Sequence, residues 1–376
     1  MYFVEKTKGQ NLVKQFDYML FLAVLLVSAI GIVVLSSATL QMEKGGRLML
    51  MQSIGLGIGI VCALVISSID YKDFKTLGPI AYFGSIVLLV LVLIFGVGDQ
   101  HGGRSWFNFF GVSFQPSEIS KIAFILIAAV FFERIKEGEK GKNILKLLIY
   151  SCIPVGLIML QPDFGSAAVF MFAFCIMTFI CEIPYKYVFI SIGAFFLSLP
   201  AAWFFFLKPY QKDRIMVFIY PELDRLDKGY QVFQSKMAIG SGQMYGKGLF
   251  SGLLTHNGGI PVRESDFIFS VLGEELGFIG TIAVVVLVFF ILLRCIYIAK
   301  HSRDTYGAFL VVGMASMLAF HFIENIGMCI GLLPVTGIPL PFISSGGSNM
   351  VTNYIAIGII LSVSMRRKRT IFNSTQ

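Results

Sequence analysis

Ten runs of apolar residues, near 17–38, 49–68, 78–98, 117–133, 146–161, 165–182, 187–207, 270–298, 306–326 and 346–364, leave this chain few folds to choose from. Each is long enough to cross a hydrocarbon core of ~30 Å as a helix. With 56% hydrophobic and 14% charged residues and a mean hydropathy of +0.79, too few polar groups remain to coat a soluble domain of 376 residues. The expected fold is all-α: a polytopic integral membrane protein with about ten transmembrane helices, forming one transmembrane domain over 1–376. A large polar loop, about 208–266, separates helices seven and eight.

Charge orients the bundle. Eighteen of the 30 Lys and Arg, among them Lys6, Lys72, Arg134, Lys300, Arg303 and Arg366, fall at one set of span ends. The short loops of the other set hold three: Lys44, Arg47 and Arg104. Basic residues in short loops mark the cytoplasmic side, so both termini and the basic tail 365–376 are expected in the cytoplasm of a cell whose plasma membrane holds the chain. The 208–266 loop then faces outward. The first run, although preceded by lysines, lacks a small-residue cleavage site and reads as a retained helix. The net charge of +8 is thus an orientation signal and an attraction to membrane lipids, with no patch that argues for nucleic acid. All six cysteines lie in or at the ends of apolar runs and the four histidines are scattered, which excludes a disulfide framework and a zinc or haem site.

Polar motifs concentrate on the outward side. In Gln115-Pro116-Ser117-Glu118-Ile119-Ser120-Lys121, Ser117 is the expected N-cap of the fourth span, and Glu118 and Lys121 share one helix face. They read either as the lining of a polar cavity or as an ion pair that pins two helices. In Gln161-Pro162-Asp163-Phe164-Gly165, Asp163 either caps the sixth span or holds a divalent cation such as Mg or Mn. The long loop offers Lys208, Lys212, Arg214, Lys236 and Lys247 among glycines 240, 242, 246 and 248, a combination suited to a diphosphate. Within it, 229–239 has Tyr230, Phe233 and Met237 on one helical face and Gln231, Gln234 and Ser235 on another, as in a helix lying at a membrane surface. Asp266 sits between Arg263 and the aromatics Phe267 and Phe269, where partial desolvation suits a general base. Glu274 and Glu275 further on read as bonds to neighbouring helices. Three prolines and three glycines between Pro334 and Ser348 preclude a regular helix, so that backbone must be buried in protein or line water.

Together, Gln115-Pro116-Ser117-Glu118 with Lys121, Gln161-Pro162-Asp163-Phe164-Gly165, Gly229-Tyr230-Gln231-Val232-Phe233-Gln234-Ser235, Asp266-Phe267-Ile268-Phe269, Leu340-Pro341-Phe342 and Ser345-Gly346-Gly347-Ser348 resemble the SEDS family of RodA, FtsW and SpoVE over nearly the whole chain. The run Pro334-Val335-Thr336-Gly337-Ile338-Pro339 is similar to the elongation (RodA) type. The chain departs from the pattern at Ser345, where tyrosine is common, and at Ser105, which separates Arg104 from Trp106. The resemblance implies a peptidoglycan glycosyltransferase that polymerises lipid II, a class B penicillin-binding protein as partner, and an essential role for Asp266. The implied substrate contacts are Arg104, Trp106, Glu118, Lys121, Lys208, Lys212, Arg214, Gln231, Gln234, Ser235, Lys236, Ser345 and Ser348. Rival readings are a division- or sporulation-type polymerase, a flippase for lipid-linked precursor, and a scaffold for the penicillin-binding protein.

Overall fold

The computed structural model describes residues 15–98, 104–109, 112–182, 212, 216 and 228–367. In chain order they form α1 (Tyr18–Thr39), α2 (Gly45–Ser68), α3 (Asp73–Phe95), β1 (Val97–Gly98), β2 (Arg104–Phe109), β3 (Val112–Phe114), α4 (Pro116–Lys136), α5 (Lys140–Leu160) and α6 (Phe164–Ile180). Then follow α7 (Lys228–Ser241), α8 (Leu253–His256), α9 (Ile268–Lys300), α10 (Thr305–Cys329) and α11 (Gly347–Met365). Seven of these, α1, α2, α3, α5, α9, α10 and α11, are long and apolar enough to cross a membrane. Helices α4 and α6 coincide with the expected fourth and sixth spans. The expected seventh span, 187–207, lies outside the described residues.

Aspartates start three of the helices. Asp17, Asp163 and Asp304 each accept a backbone N–H from the first turn, of Leu20, Ser166 and Gly307 respectively, all at 2.9 Å. The fourth span begins differently. Gln115 is its N-cap, and Pro116, whose fixed φ suits the first helical position, puts the expected cap Ser117 inside the first turn.

Burial separates centre from rim. In α11 and α10, 83% and 72% of the apolar window is buried, against 22% in α2 and 28% in α9, whose outer faces are left for lipid. Helix α4 is buried over most of its length and joins α10 and α11 at the centre. The broadest helix contact is α2 on α11, and two glycines allow it: a Cβ on Gly55 would stand 2.8 Å from Gly347 Cα, and one on Gly59 would stand 3.0 Å from the Tyr354 ring.

Two features depart from the helical expectation. Residues 97–114 contain a small antiparallel sheet, β1-β2-β3, in which Trp106 pairs with Val97 and Phe107 with Phe114. The second is a break in α9 at Gly277 (φ 65°, ψ −165°). The backbone of the preceding loop occupies it: Phe278 and Ile279 donate N–H to Gln243 O and Met244 O, and Lys247 and Gly248 donate to Glu274 O and Glu275 O. The segment after α10 is the irregular buried stretch expected. It packs on Gly31 of α1 through Phe342 and Ile343, with Leu340, Phe342, Ile343 and Ser344 all buried.

Candidate functional site

Where the ends of α2, α4 and α11 meet β2 and β3, they enclose a cavity of about 360 Å³. Its cations are Lys44, the N-cap of α2, and Arg47 one turn on; both side chains are exposed. Glu118 of α4 supplies the opposing charge. Trp106 and Ser113 come from the sheet, Gln115 from the α4 cap, and Pro339, Ser345, Ser348 and Asn349 from the irregular segment and the start of α11. Ser348 ties the two walls by donating to Ser113 O at 2.6 Å.

The acid in this cavity is held from behind. Lys121 Nζ lies 2.7 Å from Glu118 Oε1 and 2.9 Å from His321 Nε2, and the three side chains are almost wholly buried. The pair therefore does both things its spacing allowed: it presents a carboxylate to the cavity and pins α4 to α10. Burial of two charges is tolerated only where each has a partner. Beneath Gln115, Asp163 spends both oxygens locally, Oδ1 on Ser166 N and Oδ2 on Gln115 Nε2 at 2.9 Å. Among the described residues no three His, Cys, Asp or Glu side chains cluster as a metal site.

Asp266 sits just before α9, partly buried, with Oδ1 accepting from Ser265 Oγ at 3.0 Å and Oδ2 against Gly337, where a Cβ would stand 3.3 Å away. It does not line the cavity. The irregular segment links the two: Gly337 touches the carboxylate, while Pro339 and Ser345 line the cavity two and eight residues on. The link is held firmly. Asn325 Nδ2 donates to both Asp266 O and Ile338 O at 2.8 Å, Ser345 N donates to Glu264 O, and Ser344 Oγ donates to Ser265 O. Gln52 closes the other side, donating to Ser344 O and accepting from Gly346 N. Glu324, one residue before Asn325, accepts from Thr336 Oγ1 at 2.8 Å.

A family model described as "Cell cycle protein" (FtsW/RodA/SpoVE) matches residues 17–369. The chain belongs to this family. It is 33% identical to the peptidoglycan glycosyltransferase MrdB of Escherichia coli, covering 92% of this chain and 93% of that one. It is 31% identical to the peptidoglycan glycosyltransferase RodA of Treponema pallidum, covering 94% and 99%. Among solved structures, one described as structural coordination of polymerization and crosslinking by a peptidoglycan synthase complex superposes with a TM-score of 0.79 at 29% identity, covering 93% of this chain and 97% of the other.

The FtsW/RodA/SpoVE motifs fall unevenly around this geometry. Trp106, Glu118, Ser345 and Ser348 line the cavity, and Lys121 stands behind Glu118. Arg104 turns away: its Nη1 donates to Ile94 O at the end of α3. Gln231, Gln234, Ser235 and Lys236 lie on α7, which packs on α9 and α10 away from the cavity lining. Ser235 is fully buried, donating to Cys329 O and sharing a hydrogen bond with Ser270 Oγ, while Tyr230, Phe233 and Met237 are exposed on the outer face as their spacing indicated. Lys236 lays its stem over Gly331. Lys212 is partly buried, and Lys208 and Arg214 lie outside the described residues.

Other parts of the long loop serve the fold. Lys247 pairs with Glu274 at 3.0 Å, which also takes N–H groups from Leu254 and Thr255. Gly242 and Gly246 come close to backbone, not ligand: a Cβ there would stand 2.0 Å from Gly273 O and 2.1 Å from Glu275 O. Arg263 Nε donates to Ala38 O at 2.9 Å. Sequence reading treated Lys44 and Arg47 as orientation charges and overlooked His321, Glu324 and Asn325. Their one signal was three polar side chains on one face of an apolar span.

Proposed function

We propose that this chain is a peptidoglycan glycosyltransferase that polymerises lipid II at the outer face of the plasma membrane. The observation that carries the reading is a cavity with Lys44, Arg47 and the clamped Glu118, joined by one rigid segment to the half-buried Asp266. A lipid-linked sugar diphosphate needs cations where its charge develops, a base near its acceptor, and access for its tail from the bilayer. The names of the Treponema pallidum and Escherichia coli relatives support the activity. The similar synthase complex supports a crosslinking partner, a class B penicillin-binding protein.

In the proposed step the 4-hydroxyl of the acceptor sugar attacks the anomeric carbon of the donor. Asp266 takes the hydroxyl proton as the new C–O bond forms. The bond from that carbon to the diphosphate breaks with inversion, and the lipid diphosphate leaves with the electron pair, its charge met by Lys44 and Arg47. Glu118 orients the acceptor from the cavity floor, and both chain termini lie in the cytoplasm.

Asp266→Asn keeps shape and removes the base. Purified variant and parent are compared for lipid II polymerisation in detergent with moenomycin present, where transport cannot be scored. The rate is expected to fall at least ~100-fold with an unchanged melting temperature. Equal rates would refute the assignment, and a parent that makes no glycan while moving lipid-linked precursor across vesicles would favour a flippase.

A further inference from the structure

At the opposite end of the bundle, three helix ends meet around one carboxylate. Asp17, the N-cap of α1, has a fully buried side chain; Oδ1 accepts Leu20 N–H, and Oδ2 faces both Arg294 of α9 and Arg367, just past α11. Arg294 Nη2 donates directly to Oδ2, whereas Arg367 Nη1 stands 3.8 Å away, beyond hydrogen-bond reach. One negative charge thus answers two guanidinium groups. Arg294 Nε and Arg367 Nη1 are buried and have no acceptor among the described residues. An unanswered buried donor is costly, and guanidinium forks match phosphate oxygens.

The surroundings select the source of that phosphate. Both guanidinium groups lie over the Tyr297 ring, at 4.8 and 5.6 Å from its centroid, and the His301 ring lies 4.2 Å from the same ring at a tilt of 35°. Each arginine side chain stays 23% exposed. Beside them Tyr18, Met19 and Leu22 of α1 and Leu293, Ile296 and Tyr297 of α9 project exposed apolar surface. A charged pocket bordered by lipid-facing side chains, at the end that the Lys and Arg bias assigns to the cytoplasm, suits a headgroup whose tails lie along α1 and α9.

We propose that Arg294 and Arg367 hold the phosphate of an anionic phospholipid at the junction of α1, α9 and the end of α11. The phosphate supplies the acceptors that Asp17 cannot, and ties the last described residues to the bundle.

The test uses the full chain in nanodiscs of equimolar phosphatidylcholine and phosphatidylglycerol, with retained lipid counted by native mass spectrometry. The parent is expected to retain phosphatidylglycerol over phosphatidylcholine. R367Q, which leaves the Arg294–Asp17 pair intact and so preserves the fold, should lower that retention about fivefold. R367K should fall between, and K300Q, which removes an exposed charge on the same helix end, should match the parent. Equal retention by R367Q and the parent, or equal losses in R367Q and K300Q, would overturn the site in favour of a diffuse basic surface. Displacement of the lipid by inorganic phosphate would overturn the lipid assignment and make the pair a soluble-phosphate site.

Discussion

Glu118 enters the cavity with its charge already answered, and that fixes what substitutions there should do. Lys121 pairs with it from behind the wall and is itself braced by His321, and all three are nearly inaccessible to water. Lys121→Met removes one ion and strands the other, a change expected to cost about 3–5 kcal/mol because the remaining charge stays buried. Thermal unfolding in detergent should show a large fall for Lys121→Met. The double variant Glu118→Gln/Lys121→Met should recover most of that stability, since a neutral pair of similar volume is tolerated, yet should stay inactive in lipid II polymerisation. If the double variant polymerised normally, the pair would be a helix pin alone. At this scale the charged residues were legible from their position in apolar runs, because an ion there is costly without a purpose. Asn325 was not: its role is to bond two backbone oxygens, of Asp266 and Ile338, which only the folded chain brings together.

At the scale of elements, the break in α9 is the sharpest constraint. Gly277 adopts a positive φ, and a Cβ there would stand 2.2 Å from Gly246 N, on the loop strand that completes the broken hydrogen bonds. Gly277→Ala is therefore expected to destabilise by at least about 2 kcal/mol through backbone strain alone, and to free the 243–248 loop. Faster cleavage near Tyr245 in limited proteolysis, alongside a lower melting temperature, checks it; unchanged cleavage would mean that the loop is held by Glu274 and Lys247 instead. The helices themselves were readable because each apolar run is long and each Asp cap is local. The sheet at 97–114 was not, since its strands are short and its pairing, Trp106 with Val97, depends on neighbours beyond any periodic pattern. Of the long loop's glycines, Gly242 and Gly246 show the close approach expected of them, and their partner is the backbone of α9.

For the whole molecule, function requires the two polar regions to lie on opposite sides of the membrane. The cavity with Lys44, Arg47 and Glu118 collects at one end of the bundle, with the 243–256 loop on Glu274 and Glu275 at the same end of α9; the Asp17–Arg294–Arg367 cluster collects at the other. Charge bias alone assigns the first to the outside. Tyr245, 83% exposed on the loop, and Lys300, exposed at the far end of α9, are separated by the length of that helix and make a decisive pair. In Tyr245→Cys, a membrane-impermeant maleimide should label intact spheroplasts; in Lys300→Cys it should label only after lysis. The parent supplies the background, because the buried Cys181, Cys295 and Cys329 are shielded and Cys62, Cys152 and Cys175 lie within α2, α5 and α6, where lipid keeps a water-borne reagent away. Labelling of Lys300→Cys in intact spheroplasts, with Tyr245→Cys protected, would invert the topology. It would remove lipid II polymerisation at the outer face from consideration, because the cavity and Asp266 would then open toward the cytoplasm.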